Sequence, residues 1–371
     1  MKRALVSLGL GSLALLLACS DSSSGSSSSG SSGVDGGSTS SGGTSSGTSS
    51  GSSSGTSGGT GVINHLSGPT EVTDILGDGE TAYFTGVEAS GEGAIFSASA
   101  TAGPSVLCKA GAKRTITAIA VDGTTLYGIR REPDTGLSAI VKTTTTGVGA
   151  ACEEVGAIEP NQLTELVKVG DSLVYLGVVK VMRMPLTGGA PTELLTTAAS
   201  GFIGDFASAG ATGFVVDTST AATPGARIAR FTLGGAIETF VSVDSPSTSG
   251  HEIIGGKVVW AEPGPNAGDF VFKSADVAAA LPPAPTPVVT SNFGIGSVLQ
   301  FCRPNVSSPT ELAVAAANSE AVDYHLIGSS SQPSRKLASI STSLGGGACA
   351  LTTGAIWGVD PNDKRVFWAS R

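Results

Sequence analysis

Charge, aromatic residues and histidine are all scarce in this chain. Of 371 residues, 14% are charged and 5% aromatic, and there are 3 histidines. Acidic residues outnumber basic ones by 30 to 21, for a formal charge of -9. No block of lysine or arginine occurs, so the sequence has no electrostatic footprint for nucleic acid or for anionic lipid headgroups, and its acidity reads as a solubility device. No apolar run reaches the roughly 20 residues that a membrane-spanning helix needs. Cys-x-x-Cys is missing, which removes zinc-ribbon and thioredoxin-like readings, and nothing calls for a cofactor. His65, His251 and His325 stand apart from one another and from every cysteine. Each is read as a hydrogen-bonded strand residue, neither metal ligand nor catalytic base.

What the chain has in excess is glycine, 53 residues of it, and serine. Residues 1–18 begin with Lys2 and Arg3, continue as an apolar run from Ala4 to Leu17, and end on the small Ala18. That is the pattern of a signal peptide, its core of about 14 residues being too short to span a bilayer. From Ser20 to Gly61 the chain is almost wholly Ser, Gly and Thr. Such a tract cannot bury enough apolar surface to offset its ordering entropy, so residues 19–60 are expected to form a disordered stalk. About 40 flexible residues span roughly 32 to 38 Å. Three Gly-x-Ser-x-Gly matches within 43–55 resemble a hydrolase elbow, but that motif needs a strand-to-helix turn which this tract cannot make.

The stretch Leu16-Leu17-Ala18-Cys19 resembles a bacterial lipobox, with Leu17 where a smaller residue is commoner. The resemblance implies that Cys19 becomes the mature N-terminus and carries a thioether diacylglycerol, usually with a further acyl chain. Two or more chains hold a protein on a membrane where one binds only marginally. The other reading is an ordinary secreted protein cut near Ala18, with Cys19 incidental. Ser20 stands where aspartate often marks inner-membrane retention, so the resemblance implies the outer membrane, with the periplasmic or surface face left open.

Residues 61–371 repeat. Asp74 to Phe84, Ala118 to Tyr127, Leu166 to Tyr175, Phe206 to Val215, Glu252 to Trp260 and Cys349 to Trp357 each read as a short strand, a glycine turn and a strand ending in a large side chain. A weaker copy falls near Val298 to Val314. Second hairpins follow, as in Val181 to Leu195 around Gly188-Gly189 and Arg227 to Val241 around Gly234-Gly235, where Gly-Gly signals positive φ. Two hairpins make a four-stranded blade, and a period of about 44 residues is that of a β-propeller. The expected fold is therefore all-β, a propeller of seven blades, or six if the copy near Val298 is an insertion. The last repeat has three strands, and Val62 to Leu66 is expected to supply its fourth, closing the ring and removing an open edge.

These repeats resemble those of bacterial secreted and lipoprotein β-propellers, including an Arg-x-Pro-Leu-x-Gly-Gly turn matched by Arg183 to Gly189. That resemblance implies a fold whose members include binding scaffolds, platforms for partner proteins and a minority of enzymes. Four cysteines remain, Cys108, Cys152, Cys302 and Cys349, and an exported chain favours disulfides in one of three connectivities. Cys302 and Cys349 fall on first strands of successive blades, near the axis, and form the preferred pair. Cys108 and Cys152 lie on outer strands, where a bridge requires Cα atoms within about 7 Å. Asp78, Asp122 and Asp171 recur in hairpin turns, where Asp bonds its own backbone, and are read as turn residues without metal. Tyr83, Tyr127, Tyr175, Trp260 and Trp357 are read as packing between blades. Asn305-Val306-Ser307 is read as a chance sequon. No catalytic residues are assigned. The sequence-based reading is a monomeric, lipid-anchored binding or interaction scaffold for protein or glycan, with a propeller hydrolase, lactonase or lyase as the alternative.

Overall fold

The computed structural model describes residues 61–158, 165–176, 180–196, 203–217, 226–243, 250–294, 297–328, 334–342 and 347–371. The signal segment, Cys19 and the stalk lie outside the described residues. Every regular element described is a strand, and the strands form seven sheets, one per blade, antiparallel but for one added two-residue strand in blade one. Blades one to six occupy 70–109, 115–158, 166–196, 203–243, 251–292 and 298–341. Blade seven combines Cys349–Leu351, Ala355–Val359 and Val366–Ser370 with Asn64–His65, where Asn64 pairs with Trp368 and His65 with Phe367. The ring is thus seven-bladed, it is closed by the early strand as the repeat count requires, and Val298–Cys302 opens blade six.

Five inner hairpins share one turn. Gly79, Gly123, Gly170, Gly210 and Gly255 each take φ between 56 and 60° at its first central position. Only glycine adopts this backbone without strain, and the conformation matches strand twist. Asp78 and Asp122 precede the left-handed glycine and Asp171 follows it within the turn; Asp122 departs from the expected backbone bond, its Oδ1 receiving Lys168 Nζ of blade three at 2.5 Å. Gly188 and Gly189 take the anticipated positive φ, whereas the turn at Gly234-Gly235 forms without it, closed by Gly235 N–H donating to Thr232 O.

The core is seven apolar wedges, each between two neighbouring blades. A sheet facing neighbours on both sides needs apolar residues on both faces, which is why inner and middle strands read as unbroken apolar runs. Tyr83, Tyr127, Tyr175, Phe214, Trp260 and Trp357 are all buried in these wedges. Two disulfides cross blade boundaries. Cys302–Cys349 joins blades six and seven at the axis, with Cα atoms 4.6 Å apart, and Cys108–Cys152 joins blades one and two at the periphery, 5.0 Å apart. The second is possible because Ala150–Ala151 leaves blade two and adds to blade one as a fifth, parallel strand opposite Cys108 and Lys109, closing the gap expected between outer strands.

Candidate functional site: the axial channel

Each blade turns its first strand toward the axis, so equivalent positions of successive inner strands form layers around the channel. Five residues before the turn glycines stand Asp74, Ala118, Glu165, Asp205 and Gly250. The three acids of this layer share a task. Asp74 accepts the Ile119 N–H of blade two at 2.8 Å, and also the Ile75 N–H at 2.9 Å. Glu165 accepts the Phe206 N–H of blade four at 3.0 Å, and Asp205 accepts the His251 N–H of blade five at 2.6 Å. Each acid therefore caps a backbone donor on the next blade. Asp205 reaches its partner from a bulge, φ 56°, where the ladder slips between Gly204 and Phe206.

Among the described residues, the cation that serves this layer is Arg303. Arg303 follows Val298–Cys302 in blade six, and its backbone is pinned to blade seven by Cys349 O and the Leu351 N–H, each at 2.9 Å. Its side chain crosses the axis. Nη2 lies 3.2 Å from Asp74 Oδ2 in blade one, and Nη1 donates to Ile119 O in blade two at 2.9 Å. Burial pushes the Asp74 carboxyl above its usual range against the pull of Arg303 and its two backbone donors. Glu165 is pushed up to about 7, first by burial and then by the charge of Asp205.

The next layer up, three residues before the turn glycines, is made of Leu76, Ala120, Val167, Ala207 and Glu252. These five, with Arg303, Lys168, Asp122 and the turns at Gly123, Gly210 and Gly256, line a cavity of about 540 Å³. Pro304, Val306 and Pro309, in the long loop that replaces the tight turn of blade six, lie at its edge. Glu252 is the exception in an otherwise apolar layer. Its residue is 9% exposed, and among the described residues no lysine, arginine or histidine nitrogen forms an ion pair with it. Burial, and next the charge of Asp205, hold its carboxyl well above the normal range.

The histidines lie in strands as expected, but the expected hydrogen-bonded role fails for His251, whose two buried ring nitrogens make no hydrogen bond among the described residues. His251 is fully buried, edge-on to Phe214, with Nδ1 3.3 Å from Asp205 Oδ2. His325 packs against Phe293, and burial lowers its pKa. His65 sits on the closing strand near Asp360 and Asp363, the group of potential metal ligands found among the described residues. Both aspartates there are already engaged, Asp360 by Asn362 and Asp363 by Arg365. Asn305 of the sequon is buried, its Nδ2 donating to Gly79 O at 2.9 Å and its Oδ1 accepting the Gly79 N–H at 3.1 Å, so it is a clasp between blades. The axial acids and Arg303 escaped the sequence reading. A signal for three of them was present, since Asp74, Glu165 and Asp205 recur at a fixed distance from the turn glycine.

No family model matches the sequence, and no curated protein matches it. Solved structures do match. The β-propeller domain of Cps50 (Swd1) from Myceliophteria thermophila aligns with a TM-score of 0.58 at 11% identity, over 84% of this chain and 100% of that one. YCF48 bound to D1 peptide aligns at 0.55 and 11% identity, over 84% and 96%. A prolyl endopeptidase aligns at 0.50 and 11% identity, over 82% of this chain and 47% of that one. Likeness at such low identity speaks for the fold: the chain is a seven-bladed β-propeller with a polar axial channel. The neighbours run from a peptide-bound propeller to a peptidase, so the fold does not by itself choose a function.

Proposed function

We propose that this propeller is a binding scaffold of the bacterial envelope, held at the outer membrane by lipid on Cys19 and a Ser/Gly-rich stalk, that engages a protein partner at the cavity end of its channel. The division of labour among the axial acids carries this reading: Asp74, Glu165 and Asp205 are each committed to a backbone donor of the next blade, while the cavity above them combines the apolar Leu76, Ala120, Val167 and Ala207 with the charged Asp122, Lys168, Glu252 and Arg303. Concave, largely apolar sites with a few polar groups are where ligands seat. The chain acts as a monomer, and glycan is the other ligand class that would fit an envelope scaffold.

Photo-crosslinking in the envelope tests the reading. A crosslinking residue replacing Val306 at the cavity edge should yield a discrete product with one partner protein, and the same residue at Val148 should not; equal products from both sites would sink it. Palmitate labelling of the full chain, lost in Cys19→Ala, tests the anchor. A hydrolase, lactonase or lyase remains the second reading, favoured by the Glu165 carboxyl poised at about 7 beside Asp205. A carboxyl with a raised pKa beside a second acid is what acid-base catalysis uses. Turnover of an ester, lactone or uronate panel that vanishes in Glu165→Gln would establish it.

A further inference from the structure

The layer that lines the cavity is a repeat with one member out of character. Leu76, Ala120, Val167 and Ala207 occupy its first four inner-strand positions, and the register that sets them there sets Glu252 fifth. A carboxyl buried in an apolar tube costs several kcal/mol unless something compensates it. The other three axial acids have their compensation in the N–H groups of Ile119, Phe206 and His251 on the following blades. Glu252 has none from a following blade among the described residues: the Ile253 N–H beside it belongs to its own strand. The nearby cations are spent elsewhere, Arg303 on Asp74 and the Ile119 carbonyl, Lys168 on Asp122.

We propose that the cavity binds an unbranched alkylammonium group, the side chain of a lysine on a partner protein, with its methylenes along Leu76, Ala120, Val167 and Ala207 and its ammonium on the Glu252 carboxylate. This rests on the binding reading above and names the chemistry of that site. Arg303 and Lys168 also line the cavity but are paired with Asp74 and Asp122, so an apolar layer whose one unpaired charge-bearing group among the described residues is Glu252 suits a lysine, whose stem is hydrocarbon and whose head is a compact charge. A guanidinium is less well served, because it carries five N–H donors and the carboxylate of Glu252 can take two of them, leaving the rest against the apolar layer.

Proton linkage follows. Asp205 of blade four and Glu165 of blade three disfavour charge on Glu252, while Arg303 of blade six and the Ile253 N–H favour it. These surroundings raise the Glu252 carboxyl well above the normal range, so an arriving ammonium displaces its proton. Binding should tighten as pH rises, until the carboxyl is ionised without ligand.

The test is calorimetric titration of the purified full chain with the peptide Gly-Gly-Lys-Gly-Gly, and with analogues carrying norleucine or arginine at the centre. The expected result is binding of the lysine peptide at least about tenfold tighter than the norleucine one, proton release on binding, and loss of that preference in Glu252→Gln. Because Gln is neutral and nearly isosteric, the variant should keep its melting temperature, and a Leu76→Trp variant that fills the sleeve gives a second block. Equal affinity for lysine and norleucine, an unchanged preference in Glu252→Gln, tighter binding of arginine, or no binding of lysine peptide would each overturn the proposal. If Val306-specific crosslinks persist in any of those cases, the scaffold reading stands and only the lysine site falls.

Discussion

The ring has two unlike halves. Blades six, seven, one and two are tied to one another by both disulfides, the closing strand Asn64–His65, the Asn305 clasp on Gly79, and Arg303 reaching over the axis, whereas blades three, four and five are joined by hydrogen bonds between neighbours, such as Phe206 N–H to Glu165 and His251 N–H to Asp205. Blades three, four and five have none of these among the described residues, yet they supply Glu165, Asp205 and Glu252. The tied half contributes the cation and the other half the excess of acid. A propeller needs its blades held in register, but it need not hold all of them the same way; here the reinforced arc fixes the channel wall from which a single arginine reaches across.

Arg303→Met should break this contrast most severely. It strands the buried Asp74 carboxyl and frees the Ile119 carbonyl, with an expected loss of about 2 to 4 kcal/mol in denaturant unfolding. Asp74→Asn in the same background should recover part of that loss; no recovery would mean that the Arg303–Asp74 pair is not the reason. Next come the disulfides. Cys302→Ser with Cys349→Ser, and separately Cys108→Ser with Cys152→Ser, should each cost about 2 to 4 kcal/mol, because the sequence separations, 47 and 44, are nearly equal. A markedly larger cost for the axial bridge would show that it also positions Arg303, its sequence neighbour.

Acidity probes the other half. Glu165 holds its proton more tightly folded, at about 7, than at its ordinary 4.5. Between those values the folded state binds more protons than the unfolded one, so stability is greatest below the lower value and falls as pH rises through the upper one. The fall should be about 1 to 3 kcal/mol, and Glu165→Gln should flatten it. A rise in stability over the same interval would contradict the burial assigned to Glu165. The smallest effect belongs to the rim pair Lys142–Glu153, 2.9 Å apart with Glu153 exposed, where Lys142→Ala should change stability by less than about 0.5 kcal/mol.

The frame of the molecule was legible because it is made of repeated local signals. A turn glycine followed by a strand with a large apolar residue recurs in Gly79 and Tyr83, Gly123 and Tyr127, Gly170 and Tyr175, Gly255 and Trp260, and each of those aromatics is buried between blades. The channel was less legible, for two physical reasons. Glu252 differs from Leu76 and Val167 only in chemistry at one shared register position, which becomes visible once the repeats are laid over one another. Arg303 belongs to the blade whose tight turn is replaced by a loop, so no glycine marks its register, and its partners Asp74 and Ile119 lie far away in the chain. Asp122 was misread for a third reason, since a turn aspartate can bond inward to its own backbone or outward, and Lys168 of the next blade decides it.

Pairing Asn64 with Trp368 has a temporal side. A strand near the start of the domain must wait, without a partner, while all the intervening blades are made and folded, because the edge it will occupy does not yet exist. It is only two residues long, is half exposed, and ends in a histidine. Such a segment has little capacity to recruit a stray sheet edge during that wait, so the brevity that makes the final seam look weak also keeps the unfinished ring from sticking to its neighbours.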